Sequence, residues 1–266
     1  MNRSVILAPL LFLAACSAPQ APPASAALSG IDSSKLIDLS YTFDEKTVYW
    51  PNAEGFRHRK DSWTKTPGGY WYAAGEFTSA EHGGTHLDAP VHFSEGKLTL
   101  DQIPVARLVA PAFVIDVSAK AAKDTDYRVT VEDIALWEKA HTNIPENSIV
   151  VIRTGWGKFW PNRKQYLGSD VKGDISHLHF PALSKDAAEV LVTRKIAGLG
   201  IDTASMDYGP SKDFIAHQIL NGANIYGIEN IANAEKLPET GATLIVMPMK
   251  IGEGSGGPAR VVALLP

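Results

Sequence analysis

The sequence predicts an α/β fold, and two observations support that class. Short runs of β-branched and other apolar residues recur along the chain, as expected for strands that are largely buried. Segments with helical periodicity lie between these runs in the second half. The chain has 266 residues, 45% of them hydrophobic, which is sufficient for one sizeable core. The sequence contains no internal repeat.

The individual elements follow from these patterns. Strands are predicted at 112–117, 148–153, 196–201, 243–248 and 260–265. Helices are predicted at 130–140, 184–195 and 211–222, beginning at Thr130, Ser184 and Ser211 and ending, for the third, at Gly222. Residues 36–100 are richer in aromatic residues, Gly and Pro, so strands and long loops are expected there.

The N-terminal stretch "MNRSVILAPLLFLAAC" is typical of a secretory signal peptide. Arg3 precedes an apolar run that is too short to span a bilayer as a lasting anchor. The closing "LAAC" resembles the lipobox of bacterial lipoproteins, which implies cleavage before Cys16 and lipidation of that residue, the only cysteine of the chain. An ordinary cleaved signal peptide is the alternative. Ser17 after the cysteine favours the outer membrane, facing the periplasm.

The chain is therefore expected to comprise a signal peptide at 1–15, a Pro/Ala/Ser-rich tether at 16–30 and a folded domain at 31–266. Its net charge of −4 and isoelectric point near 6.1, without a basic run, argue against nucleic acid as the main partner. The expected contact with a membrane is through the lipid on Cys16.

The segment "EHGGTHLDAPVH", at 81–92, concentrates three of the eight histidines of the chain. Two glycines and a proline make a regular helix unfavourable, so a turn that enters an extended stretch is expected. In an extended chain His86 and Asp88 project to the same side, and the turn brings His82 back beside them. Two imidazoles and a carboxylate suit Zn²⁺ or a similar dication and leave a position open for water. A polar loop with hydrogen-bonded histidines is the alternative.

The stretch "HGGTHLDAPVH" resembles the HxGTHxDxPxH motif of the cyclase family, at every fixed position. That family includes bacterial kynurenine formamidase and isatin hydrolase, which are metal-dependent amide hydrolases. Segments such as "GLGIDTASMD" and "IYGIENIANAEKLPETGA" follow in family order, so the resemblance covers 36–266. It implies the swivelling β/β/α type of single domain that is typical of the family.

The resemblance also implies a site with two ions, Zn²⁺ or Mn²⁺, and a dimer or tetramer. By position in the family pattern, His82 and His86 would bind the first ion and His217 the second. Asp88 and Glu229 would bridge both ions. His92 would be the general acid/base, and Trp50 would contact substrate. Without the resemblance, His217 would be a hydrogen-bonded core histidine on an apolar helix face. Glu229 would be a buried carboxylate paired with a metal ion, an arginine or a backbone amide. Trp50 would be a packed aromatic residue.

These residues predict a metal-dependent hydrolase of small amide C–N bonds. A metal-bound hydroxide would attack the carbonyl, and His92 would carry the proton to the leaving nitrogen. Several aromatic residues near the motif suit an aryl substrate: Tyr49, Trp50, Trp63, Tyr70, Trp71 and Tyr72. The alternatives are a metal-binding lipoprotein without catalysis and an inactive hydrolase scaffold. The remaining histidines, at 58, 141, 177 and 179, match no ligand position, and His179 alone is a candidate neighbour of the site.

Overall fold

The computed structural model describes residues 32–266, so the signal peptide and the whole tether lie outside the described residues. The strands are β1 (Leu36–Asp38), β2 (Arg57–Lys65), β3 (Trp71–Thr78), β4 (His86–Asp88), β5 (Val109–Asp116), β6 (Arg128–Val129), β7 (Ile149–Arg153), β8 (Ala182–Leu183), β9 (Gly198–Ile201), β10 (Tyr226–Glu229), β11 (Thr243–Pro248) and β12 (Gly256–Leu264). The helices are α1 (Ser118–Ala121), α2 (Val131–Ala140), α3 (Arg163–Leu167), α4 (Lys185–Thr193) and α5 (Ile215–Gly222). The predicted α/β class is confirmed.

Eight strands form one mixed sheet, in the order β1-β12-β11-β5-β7-β9-β10-β4. Strands β5, β7, β9 and β10 run parallel, and the others pair antiparallel. Strand β4 pairs antiparallel with both β10 and β12, which closes the sheet into a barrel. Closure at β4 places the histidine-rich segment at the seam of the barrel.

Alternating side chains of the central strands enter two apolar clusters. On β7, Ile149 and Val151 pack in one cluster, with Leu87 and Ile228, while Val150 and Ile152 pack in the other. The second cluster includes the buried faces of α2, α4 and α5. Because both faces of β7 are buried, its sequence is continuously apolar, as is typical of a parallel strand.

Two of the three predicted helix starts are confirmed. The Thr130 side chain accepts a hydrogen bond from Asp133 N at the start of α2, and Ser184 caps α4 in the same way. The third prediction was wrong, because α5 begins at Ile215 rather than at Ser211. Phe214 precedes it in the left-handed conformation, with φ of 50°. The first N–H groups of α5 instead donate to the carboxylate of Asp207, which lies outside the helix.

Strands β2 and β3 form a separate hairpin that, within residues 32–266, pairs with no other strand. Its aromatic side chains are largely exposed: Trp63, Trp71, Tyr72 and Phe77, with Tyr70 in the connecting turn. Across the described part of the chain, no helix has the length and apolar character needed to cross a bilayer.

Candidate metal centre and active site

The turn before β4 depends on its two glycines. Gly83 and Gly84 have φ of 154° and 58°, conformations that disfavour other residues. A Cβ on Gly83 would lie 2.1 Å from the Tyr49 ring, and one on Gly84 would lie 2.6 Å from the Phe43 ring. The turn therefore packs its backbone directly against aromatic rings, and it brings His82 beside β4 as expected.

Strand register places Glu229 opposite the histidine motif. In the antiparallel pairing of β4 with β10, Glu229 is the partner of His86, and Gly227 is the partner of Asp88. Directly paired residues bring their side chains within about 5 Å of each other. A Cβ on Gly227 would lie 3.2 Å from Asp88 Oδ2, so glycine there leaves room for the carboxylate.

His217 enters the cluster from the first turn of α5 and is held by Asp207. The Asp207 carboxylate accepts from Ala216 N at 2.8 Å and from His217 N at 3.1 Å, and thereby satisfies the exposed end of the helix. It also accepts from His217 Nδ1 at 2.7 Å. Because that nitrogen donates, His217 presents the lone pair of Nε2 to the cluster. Sequence reasoning missed Asp207, although it lies in the quoted "GLGIDTASMD" segment.

His86 and His217 each face one oxygen of Asp88 and one oxygen of Glu229. His86 Nε2 lies 3.1 Å from Asp88 Oδ1 and 3.5 Å from Glu229 Oε2. His217 Nε2 lies 3.4 Å from Asp88 Oδ2 and 3.2 Å from Glu229 Oε1. His82 Nδ1 lies 2.6 Å from Asp88 Oδ1. The five side chains predicted as metal ligands are thus brought together.

The donor atoms of this cluster fit a divalent cation. His86 Nδ1 donates to Gly84 O, so in the neutral ring the lone pair is on Nε2, and this buried atom makes no hydrogen bond within residues 32–266. It faces carboxylate oxygens, which are also acceptors. Ligands about 2.05 Å from a tetrahedral ion lie roughly 3.3 Å apart. The distances of His86 and His217 from the carboxylate oxygens, 3.1–3.5 Å, are close to that value. A cation would supply the charge that these facing acceptors need.

The charges of the cluster shift the pKa values of its members. Burial opposes the charge on His86, but Asp88 and Glu229 overcome that effect and raise its pKa to about 9. Burial likewise opposes the charge on His217, and bonds to Asp207 and Asp88 raise its pKa. Burial and the Asp88 charge raise the pKa of Glu229. A cation that binds here displaces protons, so its affinity is expected to rise with pH.

His92 stands beside the ligands. It ends a short 3₁₀ turn, Pro90–His92, that follows β4, and its ring stacks on that of His82 with centroids 3.8 Å apart. Burial lowers the pKa of His92 to about 3, so its ring is neutral near pH 7 and has a lone pair that can accept a proton. His82, Asp88 and His92 also offer ligand atoms within 4.8 Å of one another, so proximity alone leaves His92 within reach of an ion.

A pocket of about 240 Å³ is lined by His92 and by four of the five predicted ligands, all except the buried Asp88. Trp50, predicted to contact substrate, lies in its wall, 5.9 Å from the Phe214 ring, and Phe93 packs 4.5 Å from the His217 ring. Tyr49 also lines the pocket. The expectation that Trp63, Tyr70, Trp71 and Tyr72 would serve an aryl substrate is not met in this chain, because they lie on the exposed hairpin and its turn and are absent from the pocket lining among the described residues.

The other four histidines lie outside the pocket lining. His141 pairs with Glu239, His177 with Asp174, and His58 lies on the exposed hairpin. His179, expected as a neighbour of the site, instead pairs with Asp126 at 2.8 Å and is largely exposed. Its side chain is therefore turned away from the cluster.

A barrel-like α/β fold that carries a buried His/carboxylate cluster at the base of an aromatic pocket defines a metal-dependent hydrolase. The chain belongs to the cyclase family: residues 37–208 match the family described as putative cyclase. The match includes the histidine motif and ends before His217 and Glu229.

Relatives extend the similarity over nearly the whole chain. The chain is 35% identical to isatin hydrolase of Roseibium aggregatum, across 91% of this chain and 98% of the relative. It is 29% identical to kynurenine formamidase of Bacillus cereus, across 86% and 97%. The crystal structure of an isatin hydrolase bound to the product analogue thioisatinate superposes with a TM-score of 0.80 at 33% identity, covering 92% of this chain and all of that one. The chain is accordingly a metal-dependent amide hydrolase.

Proposed function

We propose that the chain hydrolyses the C–N bond of small aryl amides, cyclic or linear, with two divalent ions bound by the motif and its partners. His82, His86 and Asp88 would hold the first ion, and His217 and Asp88 would hold the second. Glu229 would serve both positions, because its two oxygens face His86 and His217. The single observation that carries the proposal is this convergence of five ligand side chains beside His92 in an aromatic pocket.

Ions at these positions would supply Lewis acidity for the amide carbonyl and for the attacking water. His92 accepts the proton of the water as the C–O bond forms and delivers it to the nitrogen as the C–N bond breaks. The neutral ring of His92 has a free lone pair with which to begin this transfer. Phe93 and Phe214, packed against His217, exclude water from that side of the pocket.

The lining of the pocket supports an aromatic substrate. Trp50, Phe93 and Phe214 line the pocket together with the histidines, and their rings provide apolar surface on which an aromatic substrate can pack. The volume of about 240 Å³ suits a single fused or substituted ring rather than a peptide. Isatin hydrolase and kynurenine formamidase, the relatives above, are named for substrates of that size.

The identity of the ions is proposed as Zn²⁺ or Mn²⁺. Three imidazoles and two carboxylates form a mixed nitrogen and oxygen set, which both ions accept. Metal analysis of the protein purified without added metal, beside Zn²⁺ and Mn²⁺ reconstitution of the stripped protein, distinguishes them. Two equivalents of one ion at full activity are expected.

We propose that the domain at 31–266 is held to the outer membrane, facing the periplasm, by lipid on Cys16. The lipobox and the Pro/Ala/Ser-rich tether support this arrangement. Cys16→Ser should move the protein from the membrane to the soluble fraction on fractionation of expressing cells. Retention of Cys16→Ser in the membrane fraction would refute lipidation as the attachment.

We also propose that the chain assembles as a homodimer or tetramer through the β2–β3 hairpin. Trp63 and Trp71 are each more than half exposed on a hairpin that has no other strand partner in residues 32–266, and such aromatic patches mark protein contacts. Trp71→Arg, measured by light scattering, is expected to reduce the assembled fraction. An unchanged mass would exclude Trp71 from the interface.

The central test uses metal-stripped protein reloaded with Zn²⁺ or Mn²⁺ and assayed against aryl formamides, isatin, cyclic imides and lactones. Turnover that requires metal and discriminates in favour of an aryl amide is expected. Full metal occupancy without turnover on any class would instead support the metal-binding lipoprotein. Turnover by the stripped protein would exclude metal-dependent hydrolysis.

A further inference from the structure

Two residues outside the predicted ligand set bond to His82 and to each other. Ser255, just before β12, has its Oγ 2.9 Å from His82 Nε2. The same hydroxyl lies 2.5 Å from Glu81 Oε2, and Ser255 N donates to that oxygen at 3.0 Å. Ser255 O accepts from Ala89 N at 2.8 Å, which fastens Ser255 to the end of β4.

The directions of these bonds are fixed by chemistry. A carboxylate is only an acceptor, so the single proton of the Ser255 hydroxyl is directed to Glu81. The oxygen of Ser255 can then only accept from His82, so Nε2 carries the ring proton. The lone pair of neutral His82 is therefore on Nδ1, 2.6 Å from Asp88 Oδ1. Two acceptors at that separation require a proton or a cation between them.

We propose that Ser255, oriented by Glu81, is a positioning residue that fixes the tautomer and ring orientation of His82, so that Nδ1 is the atom that binds the first metal ion. This inference rests on the proposed metal-dependent hydrolase. His86 and His217 use Nε2 instead, because a backbone carbonyl and Asp207 hold their Nδ1 atoms. A partner on the second nitrogen is the usual way in which proteins orient a metal-binding histidine.

A different chemistry could use the same three residues. Ser255, His82 and Asp88 stand in the order of a nucleophilic Ser–His–Asp triad. Two observations argue against it. The Ser255 proton is directed to Glu81 rather than to His82, and Ser255 is not among the residues that line the pocket in the described part of the chain. Ser255 therefore orients His82 rather than attacking substrate.

The tautomer can be read directly. The sample is the zinc-loaded full-length protein labelled with ¹⁵N-histidine, and the His82 signals are assigned by comparison with His82→Gln. Long-range ¹H–¹⁵N correlation spectra should show a protonated Nε2 and a metal-bound Nδ1 for His82. A protonated Nδ1 in the zinc-loaded protein would overturn the inference.

Metal affinity provides the second readout. Ser255→Ala is expected to lower the binding affinity for one equivalent of Zn²⁺ by about 10- to 100-fold in a chelator competition titration, with the affinity for the other equivalent unchanged. Ser255→Thr keeps the hydroxyl and should restore the affinity. The matched control is Ser40→Ala, which removes a half-buried hydroxyl bonded to Val261 of β12, the strand that follows Ser255, and should leave both equivalents unchanged.

The outcomes separate this inference from the proposed function. If the unmodified protein binds no metal, the proposed function fails and the inference fails with it. If it binds metal and hydrolyses amides while Ser255→Ala keeps its affinity, only the inference is overturned. Covalent labelling of Ser255 by a fluorophosphonate probe would assign the serine the nucleophilic role and overturn the inference as well.

Discussion

The first of the two proposed metal positions lies on seven consecutive residues, 82–88, whereas the second is assembled from α5 and β10, more than a hundred residues further along the chain. In the first position, a glycine turn and one short strand align His82, His86 and Asp88. In the second, His217 depends on where a helix begins, and Glu229 depends on strand register. The two positions share Asp88, which has one oxygen in each.

This difference means that the two positions should respond differently to mutation. Changes near the turn act on the first position through local backbone geometry. Changes in Asp207 or in the pairing of β4 with β10 act on the second position through tertiary contacts. Asp88 contributes to both positions. Substitutions can therefore be ranked by whether they remove a ligand of both positions, remove a ligand of one position, or change only a residue that orients a ligand.

Asp88→Asn is expected to have the largest effect. The amide retains the shape of the side chain but removes its negative charge and one acceptor, so both ions lose a ligand. Bound metal, measured by elemental analysis after dialysis, should fall from two equivalents to none, and turnover should disappear with it. Activity that survives the loss of metal would contradict metal-dependent hydrolysis.

His86→Ala and His217→Ala are expected each to remove one ion. His86→Ala leaves the second position intact, with His217, Glu229 and Asp88. His217→Ala leaves the first position intact, with its ligands on the 82–88 segment. Calorimetric titration of Zn²⁺ into stripped protein should show one equivalent retained in each variant. If His217→Ala also empties the first position, the two positions are one cooperative unit and the comparison between them fails.

The same contrast explains how much could be predicted from the sequence. The first position follows from local rules, since glycine conformation and strand alternation determine where His82, His86 and Asp88 point. The second could be assigned only through the family resemblance, because the pairing of Glu229 with His86 is a long-range register. Asp207 was missed because no local sequence pattern shows that its carboxylate folds back onto the start of α5. The start of α5 was wrongly predicted because Asp207 bonds its first N–H groups.

The hairpin shows a related limit. Strands and long loops are expected within 36–100 from its composition, and the two strands of the hairpin lie there, but composition does not indicate what each face of a strand will contact. The exposure of Trp63 and Trp71 could therefore not be foreseen from composition near the motif.

His92→Ala should separate catalysis from metal binding. The substitution removes the proton carrier but leaves both carboxylates and three imidazoles in the cluster. Turnover of an aryl amide is expected to fall by about 10²- to 10⁴-fold, with two equivalents of metal still bound. Loss of an equivalent of metal in His92→Ala would show that His92 is a ligand, in keeping with its position near His82 and Asp88.

Asp207→Asn is expected to have the smallest effect and to act on the second position alone. The amide bonds His217 Nδ1 less strongly than the carboxylate does, so the second ion should bind about 10- to 100-fold more weakly while the first is unchanged. The matched control is Asp133→Asn, since Asp133 is also a buried carboxylate that bonds the start of a helix, α2. Both substitutions should lower the free energy of unfolding by about 1–2 kcal/mol in urea titrations, because each weakens a helix N-terminus. Only Asp207→Asn should alter metal affinity, and an equal weakening of both ions by Asp207→Asn would mean that Asp207 supports the barrel as a whole rather than the second position.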